Sequence, residues 1–387
     1  TAGSGHSRFR RILVTAQFVI SVALIIGTGI IISQVRFMKN TDIGFDKENI
    51  IVLPIMDSTI RDSLDSIKAR LNAVPGVVAA GASSIVPGGD ADVSPMVPEG
   101  FTPEQSVPME RINVDSDFIP AMGIKIAKGR NFSREFGTDP DQAVIINETA
   151  ARAFGWENPV GKTIQRPTGS TPGDLQLVTK TVVGVVEDFH VKSLHQAVAP
   201  AYISNIPTYL NMLSIKIQGH DTADILDRVR RTWKSIDPAR PFDYFFLEDT
   251  FDAQYRAEDK LSGILISFSV FAVFVACLGL FGMASFATER RTREIGIRKV
   301  LGASVSNVVV MLTKDFVKLV VLANLIAWPL VYFIMNNWLR NFAYRTQIGI
   351  GIFVATALIS ISIALFTVSY QSIRAALTDP ARAVMYE

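Results

Sequence analysis

The sequence is poor in the residues that most often carry chemistry. Its 387 residues include a single cysteine, Cys277, which excludes an intramolecular disulfide and a thiolate zinc site, and four histidines, which leave little room for a His-rich metal centre. A Walker-type phosphate loop is also missing. Residues 155–163 read GWENPVGKT, but five residues separate Gly155 from Gly161 where the motif requires four, and Pro159 removes a backbone donor. No serine lies in a nucleophile-elbow context. The most telling absence is charge: residues 12–32, 264–287, 319–335 and 348–369 contain no Asp, Glu, Lys, Arg or His.

A helix needs about 20 residues to cross the roughly 30 Å hydrocarbon layer of a bilayer. All four uncharged stretches therefore read as transmembrane helices. The third is the shortest and carries Asn324 and Pro329; its helix is expected to extend back through Val308 to Phe316, with Lys314, Asp315 and Lys318 at the headgroup boundary. Arg8, Arg10 and Arg11 precede the first stretch as in a signal peptide, but the apolar run is too long for a signal core and no small-residue cleavage motif follows, so it reads as a permanent anchor. Lys and Arg concentrate before the first span and in residues 288–318, which predicts that both termini and that connector face the cytoplasm.

This orientation places residues 33–260 outside the cytoplasm. The formal charge of +2 then resolves into −7 for this segment and +9 for the remainder. An acidic exported domain on a basic membrane part, with no basic patch interleaved with aromatics away from the lipid-flanking loops, argues against nucleic acid as a partner. The fold class is thus a membrane protein of four transmembrane α-helices, with a large α+β extracytoplasmic domain inserted between the first and second. The expected divisions are 1–32, 33–260 and 261–387.

Within 33–260 the pattern alternates. Residues 143–147, 181–186 and 213–217 read as strands, and Phe242, Tyr244 and Phe246 mark a half-buried one. Ile225, Leu226, Val229, Trp233 and Ile236 follow an Asp221 cap at helical spacing; Leu64, Ile67, Leu71 and Val74 form a second amphipathic helix ending at Pro75-Gly76. Asn147 is placed to cap a short helix over 148–154. The proline- and glycine-rich stretches 85–108 and 166–174 read as loops. His190 and His195 lie near Glu187 and Asp188, but a spacing of five shares neither a helix face nor a strand face, so a surface loop is expected rather than a metal site. Asn131-Phe132-Ser133 and Asn147-Glu148-Thr149 match the glycosylation pattern.

The most distinctive segment is 287–304, ATERRTREIGIRKVLGAS. Arg290, Glu294 and Arg298 fall at i, i+4 and i+8 on one helix face and can pair as a ladder. Ile295, Val300 and Leu301 offer apolar contacts, and Gly302 is a plausible helix stop. Such a helix is either a solvated connector or a docking element whose apolar residues enter a partner's groove.

That stretch and the order of one span, a large exported domain and three further spans resemble the MacB/FtsX-type ABC transporter permeases. GRNF at 129–132, AVIINETAARAFGWENPVGKTI at 143–164, VVGVVEDFHVKSLH at 182–195 and PFDYFFLEDTFDAQYRAE at 241–258 are similar to the MacB-like periplasmic core domain. The last three spans resemble the FtsX-like permease domain.

The resemblance implies a non-catalytic inner-membrane subunit without cofactors. It would work as a dimer of such modules, over cytoplasmic ATPase subunits on separate chains. ATPase closure would press on the connector and move the exported domain, with Glu294, Gly296, Arg298, Lys299 and Gly302 as contact or shaping residues. Residues 34–40 and 248–260 would form paired stalk helices. Implied partners are the ATPase, a second permease module, membrane lipids and, beyond the membrane, an adaptor or a cell-wall hydrolase. Residues 1–11 read as a Gly/Ser linker into a basic helix start, as in the second half of a two-module chain. A regulator that switches a hydrolase without transporting anything is the alternative. A membrane sensor ranks below both, for want of a cytoplasmic output domain.

Overall fold

The computed structural model describes residues 2–55, 57–168, 176–219, 221–291, 294, 297–298 and 304–376. They fall into two compact units, one of residues 1–39 with 256–387 and one of Asn40–Tyr255. The chain opens with the helix α1 (Ala2–Asn40). The second unit then contributes β1 (Ile50–Pro54), α2 (Ser58–Asp62), α3 (Leu64–Asn72), β2 (Val77–Ser83), β3 (Asp92–Pro98), β4 (Val107–Asn113), α4 (Phe118–Ala121) and β5 (Ile126–Gly129). It continues with α5 (Asp139–Gln142), β6 (Ala143–Asn147), α6 (Glu148–Ala153), β7 (Thr163–Thr168), β8 (Gln176–Val186), β9 (Ala201–Ser204), β10 (Met212–Ile217), α7 (Thr222–Ile236), β11 (Phe245–Phe246) and α8 (Leu247–Gln254). The long helices α9 (Arg256–Arg290), α10 (Val305–Leu339) and α11 (Ile350–Ala376) belong to the first unit.

Among the described residues four helical segments are long and apolar enough to cross a membrane: Arg8–Asn40, Arg256–Glu289, Val309–Leu339 and Ile350–Gln371. Their shared core is built from Val14 and Phe18 of α1, Ala276, Leu280 and Ala284 of α9, Phe316, Val320 and Ala323 of α10, and Ala364 and Val368 of α11. Alanines at these contacts let the helix backbones approach closely, which is how helices gain packing energy when lipid removes the hydrophobic drive. Phe271, Phe274, Phe333 and Phe366 point outward and are exposed, as lipid-facing side chains should be. As expected from the sequence, α10 runs unbroken from before Val308 and carries Pro329 inside it.

The Asn40–Tyr255 unit contains two sheets. The first is antiparallel with strand order β11-β1-β10-β2. Alternate residues Ile51, Leu53, Leu213 and Ile215 meet Ile67 and Leu71 of α3 and Val229 and Trp233 of α7 in one core. Asp221 accepts the Asp224 N–H at 3.0 Å, capping α7 as the sequence predicts. Gly81 is required in β2: a Cβ there would lie 2.4 Å from the Phe118 Cα, so α4 rests directly on the strand backbone.

The second sheet has order β5-β8-β6-β9-β4-β3-β7, and β7 also pairs with β8, so the ladder returns on itself. Among the described residues its parallel pairs are β4–β9 and β6–β8. Asn147 Oδ1 accepts from the N–H groups of Ala150 and Ala201, and its Nδ2 donates to the Ala199 carbonyl at 2.9 Å. Buried with its amide committed, Asn147 is unavailable for glycosylation.

Several expectations are corrected. The 85–108 stretch is not a loop throughout, since β3 and the start of β4 lie in it. Pro95 faces Pro108 across their antiparallel ladder, so the two missing donors share one rung that needs no hydrogen bond. The strand expected over 242–246 shrinks to Phe245–Phe246, while Phe242 and Tyr244 still pack on the first core. Residues 166–168 belong to β7, and the rest of the expected 166–174 loop lies outside the described residues. Helix over 248–260 is divided at Tyr255, which ends α8 before α9 begins. His190 is buried rather than superficial. Gly161, with φ of 90°, donates its N–H to the Val182 carbonyl at 2.8 Å, and Lys162 lies over the Trp156 ring at 5.1 Å; the GWENPVGKT turn thus uses within the sheet the groups a phosphate loop would offer.

Candidate functional site

The connector between α9 and α10 is the segment the sequence singles out. α9 ends at Arg290, and the Arg291 N–H caps that end by donating to the carbonyls of Ala287 and Thr288. Glu294, Ile297 and Arg298 are helical. Arg298 Nη2 donates to Glu294 Oε1 at 2.8 Å, the i, i+4 pair the ladder predicts, with both side chains about half exposed. The Arg290 side chain and residues Ile295, Gly296, Lys299, Val300, Leu301 and Gly302 lie outside the described residues.

Two further contacts tie the connector to α10. Arg298 Nη1 reaches the Met311 sulfur, and Arg291 Nη2 lies 3.3 Å from Asp315 Oδ2. Ser304 begins α10 as its N-cap, accepting the Asn307 N–H at 3.3 Å. The spacing within 287–304 points to neither Met311 nor Asp315. Asp315 had a signal, being the one acidic residue in α10 and facing a strongly basic connector in the sequence. Ile297 is exposed, so this charged segment presents an apolar side chain at its surface.

At the opposite end of the bundle Gln34 performs a different task. Fully buried on α1, it donates from Nε2 to the Tyr344 carbonyl and accepts the Thr346 N–H at Oε1, each at 2.8 Å. Lys39 and Asp259, one turn or so beyond on α1 and α9, form an ion pair at 2.8 Å. Among the described residues no three His, Cys, Asp or Glu side chains gather to hold a metal.

Four spanning helices with a folded α+β unit and a charged connector define a multi-pass α-helical membrane protein. The family model for the MacB-like periplasmic core domain matches residues 13–232, and that for the FtsX-like permease C-terminal matches residues 266–380. The chain belongs to this MacB/FtsX family: it is a membrane permease of an ABC transporter, with an extracytoplasmic domain. It is similar to the macrolide export ATP-binding/permease protein MacB of Bdellovibrio bacteriovorus, 23% identical over 67% of this chain and 41% of that protein. It is also similar to the probable syringafactin export ATP-binding/permease protein SyfD of Pseudomonas syringae, 22% identical over 50% of this chain and 30% of that protein. The chain thus spans less than half the length of these relatives. The crystal structure of the periplasmic region of MacB from Actinobacillus actinomycetemcomitans covers 56% of this chain and 97% of its own, at 17% identity and a TM-score of 0.37.

Proposed function

We propose that the chain is a non-catalytic mechanotransmitting subunit of the bacterial inner membrane. In this reading both termini are cytoplasmic, and the α+β unit is inserted between the first and second spans on the far side. A separate ATPase grips the connector between α9 and α10, and its closure on ATP moves the spans and drives the extracytoplasmic unit to export or extrude a substrate. The roles of those relatives in macrolide and syringafactin export support that direction of transport. A second permease module completes the working unit.

The observation that carries this reading is the attachment of the connector to α10. Arg298 pairs with Glu294 and touches Met311, and Arg291 meets Asp315, so force applied to the connector reaches a helix of 35 residues. α1 has 39 residues, or about 58 Å at 1.5 Å per residue, far more than the roughly 30 Å of hydrocarbon. Helices of that length carry motion beyond the bilayer without a substrate channel between them.

The test is Glu294→Lys, which places like charges at i, i+4 and breaks the pair with Arg298. Copurification of the ATPase with the permease should fall at least about tenfold, while membrane insertion stays intact. Undiminished copurification would sink the assignment of the connector as the docking element.

A further inference from the structure

A cavity of about 400 Å³ opens between α1, α9 and α10 beside the connector. Its charged lining is Arg10, Arg11, Arg291 and Lys318 against a single carboxylate, Asp315, a formal excess of three positive charges. Asp315 already lies 3.3 Å from Arg291. Arg10 stacks over the Phe286 ring at 4.5 Å. Arg11 and Lys318 are exposed and have no carboxylate partner among the described residues. The floor is apolar, formed by Phe286, Leu312, Phe316 and their neighbours.

Position in the sequence sharpens what this lining would take. Arg11 immediately precedes the uncharged stretch of α1, Lys318 immediately precedes that of α10, and Arg291 lies four residues beyond that of α9. Three helices therefore bring their boundary cations to one cleft at the depth of the lipid headgroups. Crowded cations in a partly dehydrated cleft repel one another, and a phosphate relieves that repulsion while taking charge-assisted hydrogen bonds from the arginines. The volume falls in the range of small-molecule sites, about 300–1,000 Å³, and a bare inorganic anion would leave the apolar floor uncovered.

We infer that this cleft binds the phosphate headgroup of an anionic phospholipid, with the glycerol and upper acyl segment lying on the Phe286 and Leu312 floor. The shared chemistry is a phosphate diester of net negative charge. Because the site lies against the Arg291–Asp315 bridge, a bound lipid would brace the junction between the connector and α10. The inference does not depend on ATPase docking and can fail separately from it.

The test uses the full chain purified in a mild detergent and titrated with phosphatidylglycerol, with retained lipid counted by native mass spectrometry. Parallel titrations use phosphatidylcholine, and competition uses inorganic phosphate. Phosphatidylglycerol should be retained and phosphatidylcholine should not. The pair Arg11→Gln/Lys318→Gln should weaken retention at least about tenfold, each juxtamembrane cation contributing on the order of 1 kcal/mol. The control pair Arg8→Gln/Lys314→Gln removes the same charge from exposed positions outside the lining and should change retention less than about twofold. Equal losses in the two pairs would reduce the cleft to part of a diffuse basic belt and overturn the inference. Displacement of the lipid by millimolar inorganic phosphate would assign the cleft to a soluble anion and overturn the lipid as its occupant.

Discussion

The two units bury polar groups in opposite ways. In the helical unit the buried polar side chains among the described residues are all neutral: Ser21, Thr28, Gln34, Ser269, Thr313, Asn324, Thr356 and Ser360. Ser21, Ser269 and Thr313 return a hydrogen bond to the carbonyl four residues earlier. Thr28 meets Ser269 at 3.2 Å, and Asn324 donates to Ser360 at 3.1 Å, joining separate helices. The α+β unit instead buries charge, mostly beside its counter-charge: Lys68 with Asp115 and Asp117, Glu110 with Lys192, and Asp139 with Arg130, while Lys180 is buried against the Pro140 carbonyl at 3.0 Å. A charge at the bilayer centre has no water to fall back on, whereas a domain in water can hold an ion pair a few ångströms below its surface. The difference locates the membrane by chemistry rather than by length alone.

The largest predicted effect strikes at the charged side of this contrast. Lys68 lies 2.5 Å from Asp115 and 2.6 Å from Asp117, beneath the α3 surface. Burial disfavours its ammonium, but the two carboxylates outweigh that and hold its pKa above the ordinary lysine value. Lys68→Met strands a buried carboxylate and should destabilise the α+β unit by about 3–5 kcal/mol. Adding Asp115→Asn should recover part of the loss. Hydrogen exchange of the β1 and β10 amides reports the change; a loss below about 1 kcal/mol would place the cluster with ordinary exposed pairs and erase the contrast.

The corresponding change on the neutral side is Gln34→Leu. It removes two hydrogen bonds that hold the backbone of Tyr344 and Thr346, in the segment between α10 and α11, against α1. Interhelical bonds of this kind contribute about 1–2 kcal/mol at most. The bond after Arg345 should therefore be cut by trypsin up to about tenfold faster in the variant, with the four-helix core unchanged. Equal cleavage rates would mean that the segment is held by packing alone.

Legibility followed the range of the interaction that fixes each feature. The long helices were readable because an uncharged run is a local property, and so were the caps at Asn147 and Asp221, where one side chain reaches an amide three residues away. β3 was unreadable because its prolines are tolerated only through the partner strand, with Pro95 against Pro108. At the connector the Glu294–Arg298 pair was legible as an i, i+4 spacing. The Arg298–Met311 and Arg291–Asp315 contacts depend on how the chain turns between two helices, and no spacing rule encodes that. By its place in the sequence Gln34 falls among the stalk residues; its role as a clamp needs Tyr344 and Thr346, some 310 residues away.

The smallest predicted effect separates the units by pH. His190 is buried in the α+β unit, and its backbone N–H donates to the Ile43 carbonyl at 2.9 Å. Burial pushes its imidazole below the ordinary value of 6.5, against an opposing pull from Asp188. The folded unit thus binds the imidazole proton less readily than the unfolded or locally opened chain does. Stability from this group is complete above about pH 6.5 and falls as the pH drops below it, by no more than about 1.4 kcal/mol per unit. After correction for intrinsic exchange, amides of residues 187–200 should open up to about tenfold more often per pH unit between 6.5 and 5, and His190→Gln should flatten that dependence. Among the described residues the helical unit buries no titratable side chain, so its amides should show no such slope; a matching slope there would trace the pH response to something other than His190.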